Sequence, residues 1–295
     1  MIVLDEAQVR SLLRMEELIP AMADAMRDLS SGKVVQPLRT VVPVAEHNGF
    51  FGVMPACGGA LGAKLVTFFP NNEGIPTHHA VIVLFRPETG EPLVMMDGRL
   101  ITEMRTAAVS AVATDLLARR DVNVLAILGS GVQARSHLEA LRIVRQFREV
   151  RVWSPRHAAD FAREHGISAS ASAEEAVRGA DVIVVATSAT TPILKGAWLS
   201  AGAHVNAVGA TRPNWRELDD DCVVRAKLFV ESREAASKES GDVIAAQNIV
   251  AELGELIAGS KPGRASLEEI TLYKSVGVAI EDVAAAQLVY KRVVG

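Results

Sequence analysis

The 295-residue chain has few of the features that mark membrane, secreted or nucleic-acid-binding proteins. Its two cysteines, Cys57 and Cys222, lack CxxC spacing and a neighbouring histidine cluster, so we expect no disulfide scaffold and no metal site. A formal net charge of -4 without a basic stripe argues against a nucleic-acid partner. No apolar run reaches the roughly 18 residues of a membrane helix, and the segment MIVLDEAQVRSLL carries acids where a signal peptide has a basic start. We therefore expect a cytoplasmic protein without a membrane partner.

The first third of the chain predicts one helix followed by antiparallel strands. Over residues 5–30, Leu18, Met22, Met26 and Leu29 recur at the spacing of one helical stripe. Short β-rich runs follow, punctuated by Gly, Pro and Asn, such as GFFGVMPA, GAKLVTFFP and HAVIVLFRPETGEPLVMMDG. This pattern is typical of hairpins and antiparallel sheets.

The middle of the chain changes to the pattern of an α/β domain. After the Ala-rich helical segment ITEMRTAAVSAVATDLLARR, the apolar runs NVLAILG, EVRVWS, DVIVVATS and HVNAVGA alternate with helix-like segments. This alternation predicts a doubly wound parallel sheet with helices on both faces. The tail ITLYKSVGVAIEDVAAAQLVYKRVV predicts a strand and an amphipathic helix, which we expect to fold back onto the N-terminal β region.

A glycine turn at the first of these strands predicts a dinucleotide site. In VLAILGSGVQARSH, Gly129 permits a tight turn, Gly131 lets the backbone approach a pyrophosphate, and Ala134 allows close packing of helix on strand. The following helix N-terminus favours negative charge. The alternative is a purely structural turn.

The end of the next strand predicts which nucleotide binds. NAD-binding folds usually place an acid here for the ribose hydroxyl, whereas this chain has Ser154, Arg156 and His157. Serine and arginine can donate hydrogen bonds to a 2'-phosphate, and the guanidinium neutralises it. We therefore predict that NADP(H) is preferred over NAD(H). The alternative is that Arg156 and His157 form a solvated helix start.

Several long segments resemble the ornithine cyclodeaminase/mu-crystallin family, and its mu-crystallin (ketimine reductase) branch most of all. They include VQPLRTVVPV, KLVTFF, RTAAVSA, LGSGVQA, AGAHVNAVGA, RPNWRELDDD and KESGDV. The resemblance implies a homodimer with a discontinuous substrate-binding and dimerisation domain, residues 1–116 with 274–295. It also implies that a Rossmann-type NAD(P)-binding domain, residues 117–273, is inserted into this mostly antiparallel α+β domain.

The same resemblance assigns the substrate site. Arg39, Lys64 and Arg105 match the family positions that hold a substrate carboxylate beside the nicotinamide. Arginine presents a planar fork that suits a carboxylate, and three converging cations need an anion. Lys64 lies in an apolar strand, where its pKa is easily moved, so it is our candidate for a polarising or proton-donating group. His78 and water are the alternative proton donors. Taken singly, either arginine would more often be a surface ion-pair partner.

Family resemblance also assigns the nucleotide contacts: Thr77, His78, Arg105, Thr106, Ser130, Val132, Gln133, Thr187, Val208 and Ser275. One departure lies after Trp153, where the mu-crystallin pattern reads Asn-Arg-Thr and this chain reads Ser154-Pro155-Arg156. The guanidinium is thereby displaced by one position.

Two further departures bear on the reaction. Cyclodeaminases and alanine dehydrogenases of the family carry an Asp where this chain has Thr211, and cyclodeaminases carry a Glu where it has Gly52. Their loss favours a small cyclic imino acid over ornithine, so we predict an NAD(P)H-dependent reductase of imines such as Δ1-piperideine-2-carboxylate or Δ1-pyrroline-2-carboxylate. The alternatives are a cyclodeaminase or alanine dehydrogenase-like enzyme, and a non-catalytic ligand-binding protein.

Overall fold

A computed structural model describes residues 1–246 and 248–295. The strands are β1 (Ile2–Leu4), β2 (Thr40–Val44), β3 (Gly49–Gly58), β4 (Ala60–Phe68), β5 (His78–Phe85), β6 (Pro92–Asp97), β7 (Val124–Leu128), β8 (Glu149–Trp153), β9 (Ser168–Ala169), β10 (Val182–Val185), β11 (His204–Ala207), β12 (Ala226–Val230), β13 (Ile249–Glu252) and β14 (Ile270–Lys274). The α-helices are α1 (Glu6–Leu12), α2 (Met15–Ser30), α3 (Arg99–Leu117), α4 (Val132–Val144), α5 (Ala158–His165), α6 (Ala173–Val177), α7 (Asp220–Arg225), α8 (Arg233–Glu239), α9 (Gly241–Ala246), α10 (Leu253–Ile257) and α11 (Ala279–Val294). Within the described ranges no helix is both long and apolar enough to cross a membrane.

The chain divides into two compact units. The first comprises residues 1–105 and 277–295, and the second comprises residues 106–276. The division after Arg105 falls within α3, whereas the boundary predicted from the sequence lies at the end of that helix. The predicted boundaries and the roles given to the two domains stay predictions.

The first unit is built on a six-stranded sheet in the order β1-β6-β5-β4-β3-β2. All neighbours pair antiparallel except β1 and β6, so the mostly antiparallel region predicted from the sequence is confirmed. Helix α11 packs on β3, β4 and β5. The directly paired residues Met54, Lys64 and Ile82 are buried, while their neighbours Leu65 and Val81 are each 38% exposed. One face of the sheet is therefore covered and the other is open, as the alternation of side chains along a strand requires.

The single helix expected over residues 5–30 is wrong, because the chain forms two helices there. Leu13 and Arg14 have extended backbone conformations that separate α1 from α2. Val9, Leu13 and Met15 are all buried. In one continuous helix Met15 would point away from the face that carries Val9 and Leu13, so the break lets all three side chains enter the core.

The predicted stripe lies on α2, which packs against α11. Leu18, Met22 and Met26 are fully buried, whereas Leu29 in the last turn is partly exposed. The stripe is thus a core contact for three of its four members.

The second unit contains an eight-stranded sheet in the order β13-β12-β14-β11-β10-β7-β8-β9. Every neighbouring pair is parallel, which confirms the doubly wound sheet predicted from the alternating apolar runs. The strand order reverses between β7 and β10, and open α/β sheets bind ligands at the carboxyl ends of the strands beside such a reversal.

The C-terminal tail does not return to the N-terminal region as a whole. Strand β14 pairs between β11 and β12 in the parallel sheet, and only α11 joins the first unit. All five residues of β14 are buried. A strand buried on both faces suits the centre of a parallel sheet rather than a sheet with one open face.

A buried polar network lies at the amino ends of β11 and β14. His204 Nδ1 is 2.9 Å from Thr271 Oγ1, and Asn206 donates a 2.9 Å hydrogen bond to Thr114 Oγ1. Burial, together with the nearby charge of Arg264, lowers the pKa of His204 to about 3, so the ring is neutral. These paired polar groups stabilise the sheet without leaving a buried group unsatisfied.

Candidate functional site

Lys64 is the centre of a buried charge cluster in the first unit. It lies in the middle of β4 with its side chain 2% exposed, and its Nζ is 2.6 Å from Asp282 Oδ2 at the start of α11. Burial, together with the positive charges of Arg105 and Arg39, lowers the pKa of Lys64 to about 8, although Asp282 raises it. Lys64 therefore exchanges a proton close to neutral pH, as a proton donor must.

Arg105 shares the same carboxylate. Its Nε donates a 3.0 Å hydrogen bond to Asp282 Oδ1, and its Nη1 forms an ion pair with Glu281. Burial alone would raise the pKa of Asp282, but Arg105 and Lys64 outweigh burial and hold that pKa below its ordinary value. Asp282 is therefore ionised and orients both cations.

The loop before α11 brings in Arg39. Arg39 Nη2 donates a 2.7 Å hydrogen bond to the carbonyl oxygen of Gly277. Gly277 has a φ of +72°, and a Cβ at this position would overlap the guanidinium of Arg105. Glycine is thus required here both by its backbone conformation and by the close approach of Arg105.

Three cations converge in this cluster. Arg105 and Arg39 lie close enough to Lys64 to lower its pKa, and Arg105 and Lys64 share the carboxylate of Asp282. A guanidinium presents a planar fork that matches a carboxylate. The arrangement suits a ligand that carries a carboxylate.

The sequence reasoning did not find Glu281 and Asp282. They occupy the first turn of α11, where acids are common because they complement the helix dipole. Their complete burial is unusual for such acids, and the one available signal was their position within the apolar stretch VGVAIEDVAAA.

His78 and Thr77 lie at the start of β5 and in the loop before it. Burial, together with the positive charges of Lys64 and Arg105, lowers the pKa of His78 to about 4. His78 is therefore neutral at neutral pH and a poorer acid catalyst there than Lys64. Thr77 is exposed, and Thr106, which follows Arg105 in α3, is buried.

In the second unit, glycine is suited to the two positions of the predicted turn for different physical reasons. Gly129 follows β7 with a φ of +117°, and a Cβ there would overlap the carbonyl oxygen of Ala186. A Cβ on Gly131 would meet no atom within 4 Å. The protein's own packing requires Gly129, whereas the space at Gly131 suits the close approach of a bound group.

The first turn of α4 follows directly. Val132 is the first residue of α4 and is 44% exposed, and Gln133 Oε1 is a buried acceptor without a hydrogen-bond partner in the described structure. Ala134 is fully buried, as the predicted close packing of this helix requires. Free backbone N–H groups and the positive end of a thirteen-residue helix point to an anion such as a pyrophosphate.

Ser154 connects this turn to the end of β8. Its Oγ accepts hydrogen bonds from Ser130 Oγ at 2.9 Å and from the backbone N–H of His157 at 3.2 Å. Arg156 and His157 are exposed in the turn before α5. The arrangement leaves the guanidinium of Arg156 accessible to a phosphate.

Thr187, after β10, is held by a buried acid that the sequence reasoning missed. Glu217 Oε1 accepts hydrogen bonds from the backbone N–H of Thr187 at 3.0 Å and from its hydroxyl at 2.6 Å. Burial raises the pKa of Glu217 to about 7, although Lys274 and Thr187 lower it. Glu217 lies in RPNWRELDDD among partly exposed and exposed acids, so no sequence signal marked it as buried.

The remaining predicted nucleotide residues also follow strands. Val208 follows β11, and its N–H donates a 2.9 Å hydrogen bond to Val185. Ser275 follows β14 and donates a 2.7 Å hydrogen bond to the buried Glu231. Together with Gly129, Ser154 and Thr187 they share the carboxyl-terminal edge of the parallel sheet.

Two positions depart from the family pattern, Thr211 and Gly52. The backbone beside Thr211 is unusual, and the space around Gly52 is small. Ala210 has a left-handed φ of +50° just before Thr211, which is uncommon for a residue other than glycine. Gly52 pairs with Val66, and a Cβ on Gly52 would lie 3.0 Å from Val66 Cγ1. A larger side chain at position 52 would therefore press on Val66.

Comparisons with known proteins agree with this fold. The profile of the ornithine cyclodeaminase/mu-crystallin family matches residues 1–295. The chain is 50% identical to the ketimine reductase mu-crystallin of Mus musculus, over 97% of this chain and 96% of that protein.

Two solved structures are similar over almost the whole chain. One is Thermococcus litoralis Δ1-pyrroline-2-carboxylate reductase in complex with NADH and L-proline, with a TM-score of 0.95, 41% identity, and coverage of 99% of this chain and 97% of that one. The other is an archaeal alanine dehydrogenase dimer with bound NAD, with a TM-score of 0.93, 38% identity, and coverage of 99% and 95%. This chain is a member of the ornithine cyclodeaminase/mu-crystallin family.

Proposed function

We propose that this chain is an NAD(P)H-dependent reductase of cyclic ketimine carboxylates, with Δ1-piperideine-2-carboxylate and Δ1-pyrroline-2-carboxylate as the substrate class. The observation that carries the proposal is the cluster in which the buried Lys64, with a pKa of about 8, lies beside Asp282, Arg105 and Arg39. Such a cluster suits a substrate with one carboxylate and one group that must be protonated.

The protein residues supply binding and proton transfer. Arg39 and Arg105 bind the substrate carboxylate, and Asp282 holds Lys64 in place. Lys64 donates a proton to the imine nitrogen, which becomes the nitrogen of a secondary amine as the imine carbon is reduced. When bound, the reduced nicotinamide supplies the hydride for that carbon.

The relatives support the same chemistry. The similar mouse protein is a ketimine reductase, and the thermococcal reductase was solved with NADH and L-proline. L-proline is the cyclic amine that results when hydride and proton add to the five-membered imine. The alanine dehydrogenase is also similar, but the family Asp of such enzymes is Thr211 here, and threonine cannot act as a carboxylate base.

A nicotinamide dinucleotide is the cofactor of this proposal, and the residues of the sheet edge suit it. Ser130 to Gln133 would hold the pyrophosphate at the start of α4, with Thr187, Val208 and Ser275 as further contacts. A preference for NADP(H) over NAD(H) is supported by Arg156, which is exposed at the end of β8 where a carboxylate is absent.

Turnover with reduced cofactor tests the reaction. The purified protein is mixed with each imine and with NADPH or NADH, and the loss of reduced-nicotinamide absorbance is followed. Oxidation of the cofactor is expected with at least one imine, and Lys64→Met is expected to lower kcat by about a hundredfold or more, since it removes the proton donor. Reaction of alanine or ornithine with NAD(P), without any turnover of the imines, would overturn the proposal.

The pH dependence of kcat/KM tests the role of Lys64. Because the protonated amine is the donor, we expect the rate to fall as pH rises through about 8. Asp282 raises the pKa of Lys64, so Asp282→Asn should move this descending limb to lower pH by about one unit or more.

The matched control is Glu281→Gln, which neutralises the carboxylate paired with Arg105 and should leave the limb close to that of the wild type. A limb that stays in place in Asp282→Asn, or moves equally in both variants, would assign the titration to the substrate or another group.

The nucleotide preference is tested at Arg156. Arg156→Ala should raise KM for NADPH about tenfold or more and leave KM for NADH nearly unchanged, because only NADPH carries the 2'-phosphate. Arg163→Ala, an exposed arginine on the neighbouring helix α5, is the control and should change neither. Equal effects of Arg156→Ala on the two cofactors would contradict a phosphate contact.

The open face of the first unit's sheet supports a homodimer. Val81 and Leu65 pair across β5 and β4, Val53 continues the row on β3, and these apolar side chains are partly exposed. An apolar sheet face of this kind is typical of a protein interface. The similar alanine dehydrogenase was solved as a dimer, so a second copy of the chain is the proposed partner.

Solution mass tests the dimer. Val81→Glu places a charge on the open face and should convert a dimer to monomers in light scattering after size-exclusion chromatography. Val224→Glu, at a 79% exposed valine on α7, should leave the dimer intact. A monomeric wild type, or a Val81→Glu variant that stays dimeric, would contradict this interface.

A further inference from the structure

A second buried charge cluster lies at the carboxyl-terminal edge of the parallel sheet, and the proposed reaction does not use it. It consists of Glu217, Asp242 and Lys274, all fully or almost fully buried. Lys274 Nζ is 3.3 Å from Asp242 Oδ2 and 3.9 Å from Glu217 Oε2, and it also contacts the carbonyl oxygen of Gly209. Burying three charged groups is costly, so the arrangement needs a physical reason.

The cluster holds the carboxylate of Glu217 in one place. Asp242 Oδ1 accepts hydrogen bonds of 3.1 Å from the backbone N–H groups of Glu217 and Leu218. A Cβ on Gly209 would lie 2.5 Å from Glu217 Cδ, so the carboxylate lies directly against the main chain that follows β11. Asp242 therefore fixes the backbone of Glu217, and Lys274 and the main chain at Gly209 fix its carboxylate.

Glu217 in turn determines the conformation of the residues that follow β10. Its Oε1 accepts from both the N–H and the hydroxyl of Thr187. Because that hydroxyl donates to Glu217, it is free to accept a 3.1 Å hydrogen bond from the N–H of Ala189. One carboxylate oxygen thereby orders the turn from Thr187 to Ala189, next to the reversal of strand order where such sheets bind ligands.

We propose that Glu217 is a positioning residue for the nucleotide, acting through Thr187, with Lys274 and Asp242 holding Glu217 in place. This inference rests on the proposed nucleotide-dependent function. Glu217 itself contributes no group to the ligand; it orders the Thr187 hydroxyl and main chain before the nucleotide binds. Ordering a binding turn in advance reduces the entropy lost on binding.

A double-mutant cycle on NADPH affinity tests the inference, with the dissociation constant measured by calorimetry on the full chain. Glu217→Ala should raise Kd for NADPH about tenfold, and Thr187→Val should raise it to a similar extent. If Glu217 acts through Thr187, the Kd of the double variant should exceed that of the wild type by much less than the product of the two single-variant fold-changes. Glu217→Gln should retain more affinity than Glu217→Ala, because its amide oxygen can still accept from Thr187.

The matched control is Thr271→Val, which breaks the buried hydrogen bond to His204 at the opposite edge of the same sheet. It should lower the melting temperature without changing Kd for NADPH. Should Glu217→Ala not fold, Glu217→Met, which keeps a similar side-chain length without an oxygen acceptor for Thr187, completes the same cycle with Thr187→Val.

The outcomes separate this inference from the proposed function. A wild type that binds NADPH while the Glu217 variants bind equally well would overturn the positioning role alone. Independent, multiplying effects of the two single variants would also overturn it, since they indicate general destabilisation. A wild type that binds neither NADPH nor NADH would overturn the proposed function and this inference with it.

Discussion

The first unit depends on the ion pair between Lys64 and Asp282. Removing one partner of a buried pair costs about 3–5 kcal/mol, because the remaining charge cannot be solvated. Lys64 lies in the middle of a sheet and can meet Asp282 only if α11 returns to that sheet from the far end of the sequence. The pair therefore couples the fold of this unit to the chemistry proposed for it. Packing of α11 on the sheet buries the amine and so lowers its pKa, while Asp282 opposes that shift and also binds Arg105.

Each unit contains a buried cluster of charged side chains, and the two clusters differ in composition. In the first unit the cations Arg39, Lys64 and Arg105 lie together, and a substrate carboxylate can pair with them. Around Glu217, the two acids Glu217 and Asp242 lie near Lys274 and Arg216, and the carboxylates accept from backbone N–H groups and from Thr187. The first cluster suits ligand binding, and the second suits the ordering of main chain.

Much of the fold was predictable from local patterns. Alternating apolar runs predicted the parallel sheet, because strands covered on both faces need apolar side chains throughout. The glycine turn was recognisable because only glycine can adopt the φ of +117° at Gly129 beside Ala186. The helix break at Leu13 and Arg14 was not predictable in this way. It depends on the burial of side chains on both sides of the break rather than on helix propensity. The expectation that the whole tail folds back was wrong for β14, because burial of both faces of this strand depends on its pairing with β11 and β12.

The sequence by itself determined the family, the two kinds of sheet and the glycine turn after β7, and it predicted the cations Arg39, Lys64 and Arg105 as site residues. Each of these depends on residues close together in the chain or on long ungapped motifs. Only the tertiary structure decided which acids accompany those cations. Asp282 is 218 positions from Lys64, and Glu217 is 30 positions from Thr187. The burial, charge state and partners of such side chains are properties of contacts between distant segments, and these exist only once the chain has folded.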